Sequence, residues 1–138
     1  FGLTVSMPRS NFSEGALENL QALVEAKGEL IRHALDVEEL PIEISEDEVS
    51  FPWFEELPTP EEIKAYTHFI SALSEMAINQ KRITVKEKEV ENEKYAFRCF
   101  LLRLGFIGKE YKDERKILLR NLTGSAAFKE GVKNEDNQ

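Results

Sequence analysis

The chain has few residues that could crosslink it. Its 138 residues include one cysteine, Cys99, and two histidines, His33 and His68. A single cysteine cannot form an internal disulfide, and such sparse use fits a reducing compartment. Neither histidine lies in a metal-ligand spacing such as His-Glu-x-x-His, so no metal site is predicted. We expect both histidines to be hydrogen-bonded near the surface and Cys99 to be buried and structural.

Long apolar runs are also missing. Arg98 and Arg103 interrupt the most apolar stretch, which falls far short of the roughly 20 residues that cross a bilayer. No basic segment followed by an apolar one marks a signal peptide. These absences predict a cytoplasmic protein without a membrane partner. The chain begins with Phe1 instead of methionine, which suggests that a longer protein extends upstream.

Motifs that define a reaction are absent as well. The sequence has no glycine-rich phosphate loop, no Gly-x-Ser-x-Gly elbow, and no nucleophile and base at a recognisable spacing. No cofactor is predicted, and a non-enzymatic interaction module is the first hypothesis. The second is an enzyme whose active site is completed by a missing N-terminal segment or a partner chain. It would use His68 or Cys99 with carboxylates such as Glu62 or Glu75.

What the sequence does contain is an uneven distribution of charge. Its 18 Lys and Arg and 26 Asp and Glu give a net charge of −8. From Phe1 to Ile78 there are sixteen acidic and four basic residues, whereas from Lys94 to Lys129 there are nine basic and three acidic ones. Such asymmetry concerns the choice of partners and says nothing about a reaction.

Basic residues of the second half form a helical pattern. Arg98 and Arg103 lie on one predicted helix, and four more on the next are spaced three, four and four residues apart. These four share one helical face: Lys109, Lys112, Lys116 and Arg120. The functional interpretation is a surface that binds nucleic-acid phosphates or an acidic protein partner. The alternative is an ordinary solvated face opposite Tyr111, Leu118 and Leu122.

Two helices are predicted in the acidic part of the chain. Ser13 caps a helix that continues to about Leu35, and Gly28 weakens its middle by about 1 kcal/mol relative to alanine. The stretch Thr59-Pro60-Glu61-Glu62 combines a capping residue, a proline at the first helical position and a capping-box glutamate. This second helix should end near Asn79.

Two further helices follow a charged connector over residues 80–91, in which 83–85 could form a short strand. Asn92 caps a helix to Leu104 that is apolar on most sides and is therefore expected at the centre of the fold. Gly105 fits the left-handed position after a helix end. The fourth helix then runs up to Leu122.

Strand signals occur in two places. Phe1 to Met7 alternate apolar with small or polar residues, which fits either an edge strand or a linker remnant. Leu40–Ser45 and Val49–Trp53 alternate around an acidic turn and predict a hairpin. Pro52 lacks an amide hydrogen, which places the second strand on an edge or ends its pairing early.

Together these signals predict a predominantly helical α+β fold, with four helices around a central hydrophobic helix and a small antiparallel sheet. We expect a linker or edge strand over residues 1–9, one globular domain over 10–128 and a disordered tail over 129–138. The predicted core contains Leu20, Val24, Ile70, Leu73, Phe97, Phe100, Leu101, Leu104 and Leu118.

Trp53 and Phe54, beside Pro52, have two interpretations. Large aromatic residues at a strand end either fill the edge of the core or anchor a partner. The second interpretation makes them an exposed self-association interface, opposed by the acidic charge around them. It predicts a monomer or a weak homodimer that sets acidic halves against basic halves.

Three stretches carry a resemblance to a known family: Phe51–Phe54, Pro58–Ile70 and Asn92–Arg120. They resemble the C-terminal region of virulence-related proteins encoded on conjugative transposons and other mobile elements of gut Firmicutes. The similarity spans about Leu3 to Gly131. It implies a bacterial, cytoplasmic accessory protein of a mobile element, with DNA or DNA-handling proteins as partners, and implies no catalytic residue or cofactor.

Overall fold

The computed structural model describes residues 2–80 and 92–125. Within them, five α-helices and a three-stranded antiparallel sheet confirm the predominantly helical α+β class. In chain order the elements are β1 (Leu3–Pro8), a short 3-10 helix (Arg9–Asn11), α1 (Glu14–Ala26), α2 (Gly28–Leu35), β2 (Glu43–Ile44), β3 (Glu48–Phe54), α3 (Pro60–Asn79), α4 (Glu93–Leu104), a second 3-10 helix (Lys109–Tyr111) and α5 (Lys112–Leu119).

The sheet has the order β1-β3-β2, so the N-terminal segment is a strand and β3 lies in the middle. The Pro52 strand is therefore not an edge strand, but the alternative prediction, that its pairing ends early, is confirmed on the β2 side. The proline is accommodated because it lies between the Phe51 and Phe54 pairs with β1, where the register shifts. It also lies beyond Ser50, the last residue of β3 that pairs with β2. There its missing amide hydrogen removes no regular ladder bond.

The first predicted helix is in fact two helices. Ser13 caps α1 as expected, since its hydroxyl oxygen accepts a hydrogen bond from the Ala16 amide at 3.0 Å. The helix then breaks at Lys27, whose φ of −105° and ψ of 6° leave the helical region. Gly28 follows directly, and its low helix propensity weakens the chain at this point. The break lets α2 pack against α4 and α5.

Capping residues fix α3 and α4, whereas α5 has no side-chain cap and ends at Leu119, before the predicted Leu122. Thr59 and Glu62 form both hydrogen bonds of the capping box, and α3 ends at Asn79 as predicted. Asn92 caps α4, which ends at Gly105 in a left-handed conformation with φ of 106°.

The core forms where α3 meets α1, α4, α5 and β1, so α3, and not α4 as predicted, lies at the centre of the helices. Only Phe97, Phe100 and Leu101 of α4 are buried. Eight of the nine predicted core residues are buried, and Leu104 is partly exposed.

Several predictions fall on residues outside the described ranges. They are the connector after residue 80 with its strand at 83–85, and the tail over 129–138. In the part of the chain that the structure describes, no helix is both long and apolar enough to cross a membrane.

Candidate functional site

An acidic cleft of about 680 Å³ opens between the segment that follows α2, the end of β3 and the loop leading to α3. Its apolar lining includes Trp53, Phe54, Leu57 and Tyr66. No lysine or arginine lines it within the described residues. All of its charged lining residues are acidic: Asp36, Glu38, Glu39, Glu55, Glu56 and Glu62.

The cleft is built from contacts between distant segments. Asp36 ends α2 in a left-handed conformation, with φ of 55° and ψ of 50°, which a short polar side chain tolerates. The Trp53 indole nitrogen donates a hydrogen bond to the Pro41 carbonyl at 2.8 Å and ties the next segment to β3. Phe54 stacks on Tyr66 of α3, with ring centroids 4.6 Å apart. The walls of the cleft are therefore held by ordered aromatic side chains.

Among the described residues, Glu62 is the one carboxylate of the cleft that forms an ion pair. The Thr59 backbone amide, and then the Arg120 guanidinium, lower the pKa of Glu62, although partial burial opposes them. Burial raises the pKa of the neighbouring Tyr66 hydroxyl. The other five carboxylates make no ion pair among the described residues. Carboxylates gathered in one cleft give it a negative potential, which attracts cations and weakens as salt is added.

The predicted basic face is divided by the structure. Lys109, Lys112 and Lys116 are exposed, and none forms an ion pair with another described residue. Arg120 is also exposed, but it pairs with Glu62 of α3. We call the three lysines the lysine face. Exposed Glu110 and Asp113 lie within the same stretch and reduce its positive potential.

The two arginines of α4 differ in their surroundings. Arg103 is exposed and places its guanidinium 5.6 Å from the centre of the Phe100 ring, a cation–π contact. Arg98 is partly buried. Neither forms an ion pair with a described residue. No described carboxylate therefore neutralises either guanidinium.

A cluster that sequence reasoning missed joins α2 to α4. His33 Nδ1 lies 2.7 Å from a carboxylate oxygen of Glu93, and Glu29 lies one helical turn before His33. One potential ligand atom from each of the three lies within 4.8 Å of the other two. The conclusion that neither histidine has a metal-ligand spacing is therefore wrong. The sequence feature that could have indicated this cluster is Glu29, which lies four residues before His33. Glu93 is distant in sequence.

The other histidine is hydrogen-bonded at the boundary of the core, as expected. His68 Nδ1 lies 2.7 Å from a carboxylate oxygen of Glu114, and the side chain of Glu114 is only 7% exposed. The His68 ring also contacts Phe106 and Tyr111, with centroid distances of 4.9 and 5.0 Å. This pair links α3 to α5.

The residues of the enzyme hypothesis are not brought together. His68 pairs with Glu114, whereas Glu62 pairs with Arg120. Neither histidine nor Cys99 is among the residues that line the cleft. Cys99 is partly exposed instead of buried, and interaction with its thiol raises the pKa of the Tyr95 hydroxyl.

Trp53 and Phe54 belong to the core, and the predicted exposed interface is wrong. They are 2% and 8% exposed. Because β3 is the middle strand and the following loop folds back toward α3, the two aromatic rings face inward. The exposed apolar residue of this region is Leu57, which is 65% exposed.

Comparisons with protein-family models, with curated proteins and with solved structures find no match for this chain.

Proposed function

We propose that this domain is a non-enzymatic interaction module that binds a cationic segment of a partner protein in the acidic cleft. The supporting observation is the lining: five carboxylates without an ion pair among the described residues surround aromatic walls and the exposed Leu57. A peptide that alternates basic and apolar side chains complements both features. The basic groups provide charge complementarity, and an apolar side chain provides the anchor.

Both contributions are needed for useful affinity. An exposed ion pair contributes only about 0–1 kcal/mol, so charge alone would give weak and unselective binding. Burial of one apolar side chain against Leu57 and the neighbouring aromatic edges adds about 1.5–3 kcal/mol. Negative potential focused in a cleft also speeds the encounter with a basic ligand, and salt suppresses this effect.

Neutralising two wall carboxylates should weaken binding of a basic peptide. For a fluorescent twelve-residue peptide that alternates arginine with leucine, we expect Glu38→Gln/Glu39→Gln to lower the affinity roughly tenfold in low salt. The matched control is Glu18→Gln/Glu25→Gln, which removes two exposed carboxylates from α1 outside the cleft. Anisotropy titrations of all three proteins measure the difference.

The control separates a site from general charge attraction. An equal loss of affinity in both double variants would show that the peptide responds to net charge alone. Failure of the unmodified protein to bind the peptide in low salt would also contradict the proposal. Retained binding in the α1 variant, with loss in the cleft variant, would support it.

A second candidate function is binding of nucleic acid or an acidic protein partner by the lysine face. The favouring observation is that Lys109, Lys112 and Lys116 are exposed and without an ion pair among the described residues. Arg120 contributes less because Glu62 already neutralises it. The overall charge of −8 argues against this candidate, as do the acidic side chains of Glu110 and Asp113 beside the three lysines.

The lysine face predicts a salt-dependent affinity for DNA. Replacing Lys109, Lys112 and Lys116 with glutamine should reduce the slope of log affinity against log salt by up to about 3, since each lost phosphate contact reduces it by about 1. Anisotropy with labelled single- and double-stranded DNA at several salt concentrations measures the slope. Lys64→Gln, which removes an exposed lysine of α3 outside the lysine face, is the control. An unchanged slope in the triple variant would remove the nucleic-acid version.

The remaining sequence-based predictions concern the family, origin, location and oligomeric state of the protein. They are membership of the virulence-related family, origin in a mobile element, a cytoplasmic location and a monomeric or weakly dimeric state. A cationic partner of the cleft is compatible with these predictions, because proteins that handle DNA carry basic segments.

A further inference from the structure

The cluster of Glu29, His33 and Glu93 combines two carboxylates with an imidazole across two helices. Glu29 and His33 are four residues apart on α2 and therefore project from the same face of that helix. Glu93, the first residue of α4, reaches them from the neighbouring helix. The side chains of His33 and Glu93 are 47% and 27% exposed, so the cluster is open to ions from solvent.

We propose that Glu29, His33 and Glu93 bind a divalent transition-metal ion of the Zn²⁺ type and thereby join α2 to α4. Imidazole nitrogen and carboxylate oxygen are zinc ligands, and three protein ligands with water in the remaining position form a common open site. The three ligand atoms already lie within 4.8 Å of one another. In a tetrahedral site they would be about 3.3 Å apart, which rotation of these accessible side chains can achieve.

Charge and protons balance in this site. Two carboxylates neutralise the divalent ion, and the imidazole binds in its neutral form. The existing hydrogen bond at His33 Nδ1 orients the ring toward Glu93. When the metal takes Nδ1, the hydrogen of that nitrogen moves through solvent to Nε2. Protons compete for the same lone pair, so binding weakens as the solution becomes acidic.

The location of the carboxylates explains why they can be retained without a metal. Glu29 lies in the first turn of α2 and Glu93 in the first turn of α4, where the partial positive charge of a helix start stabilises a carboxylate. His33, in the last turn of α2, supplies the one nitrogen ligand of the cluster. Replacing His33 therefore tests the metal site, because it removes the imidazole ligand and leaves both glutamates at their helix starts.

Zinc titration of the full chain, in competition with a chromophoric chelator, tests the proposal. We expect one equivalent of Zn²⁺ at pH 7.5, weaker binding at pH 5.5, and visible absorption bands when Co²⁺ replaces Zn²⁺. His33→Asn and Glu29→Gln should each weaken Zn²⁺ binding about tenfold or more. Both side chains are exposed, and circular dichroism confirms that the variants remain folded.

Two comparisons keep this test separate from the acidic cleft. Glu38→Gln/Glu39→Gln should leave zinc affinity unchanged while weakening the basic peptide, and His33→Asn should do the opposite. Zinc binding that persists unchanged in His33→Asn would overturn the proposal. So would a loss of zinc binding in the cleft variant alone, or no binding by the unmodified chain.

Discussion

Replacing Trp53 with alanine is expected to lower the free energy of unfolding by about 3–5 kcal/mol. The side chain is 2% exposed, and its ring meets that of Phe51 edge to face at 5.4 Å. Its indole nitrogen also donates to the Pro41 carbonyl. The substitution therefore removes a large buried ring and the hydrogen bond that holds one wall of the cleft. Urea denaturation followed by circular dichroism measures the loss.

Two further variants separate the contributions of Trp53. Trp53→Phe keeps an aromatic ring but leaves the Pro41 carbonyl without its indole donor, at a cost of about 1 kcal/mol beyond the loss of packing. Leu57→Ala changes a residue that is 65% exposed, so stability should stay within about 0.5 kcal/mol while peptide binding weakens. If Trp53→Ala kept full stability and changed only the oligomeric state, the interface interpretation would be restored.

Sequence signals predict helix ends correctly where the hydrogen-bond partner of the capping residue lies within one helical turn. Ser13, Thr59 and Asn92 each accept a hydrogen bond from an amide three residues ahead. Gly105 has the positive φ that its place after a helix end requires. These structures depend on backbone groups that must be satisfied locally, so a few residues of sequence suffice to predict them.

The wrong predictions about the fold concern features that depend on contacts between residues far apart in sequence. Nothing near Pro52 indicates that the N-terminal segment pairs with β3 on the side away from β2. That pairing turns an apparent edge strand into the middle strand. Likewise, the apolar pattern continues across Lys27 and Gly28. Gly28 weakens the helix at that point, and the packing of α2 against α4 and α5 accompanies the break.

The candidate sites divide in the same way. Helical spacing predicts one surface for Lys109, Lys112 and Lys116, but Lys109 lies in the 3-10 helix that precedes α5. The spacing could not show that Arg120 pairs with Glu62, which is 58 residues away in sequence. Glu93, the partner of His33, is 60 residues away in sequence. Glu29, by contrast, lies four residues before His33, a spacing that is visible in the sequence. The acidity of the first half was evident, but its concentration around a cleft follows from tertiary packing.

Replacing His68 with phenylalanine is expected to lower the free energy of unfolding by about 2 kcal/mol. The new ring can keep the contacts with Phe106 and Tyr111, whereas the Glu114 carboxylate loses its hydrogen-bond donor. A buried carboxylate without a partner costs about 1–3 kcal/mol or more. Because the His68 side chain is 38% exposed, water can reach part of the pair and keeps the loss below that of a fully buried ion pair.

Removing the carboxylate as well should restore most of that stability. Glu114→Met has a similar shape and leaves no charge to solvate, so His68→Phe/Glu114→Met is expected to lie within about 1 kcal/mol of the unmodified protein. Urea denaturation of both single variants and the double variant completes the cycle. The expected result is strong non-additivity, since each single change disrupts an interaction that the double change replaces with packing. Additive losses would mean that the hydrogen bond between His68 and Glu114 contributes little to stability.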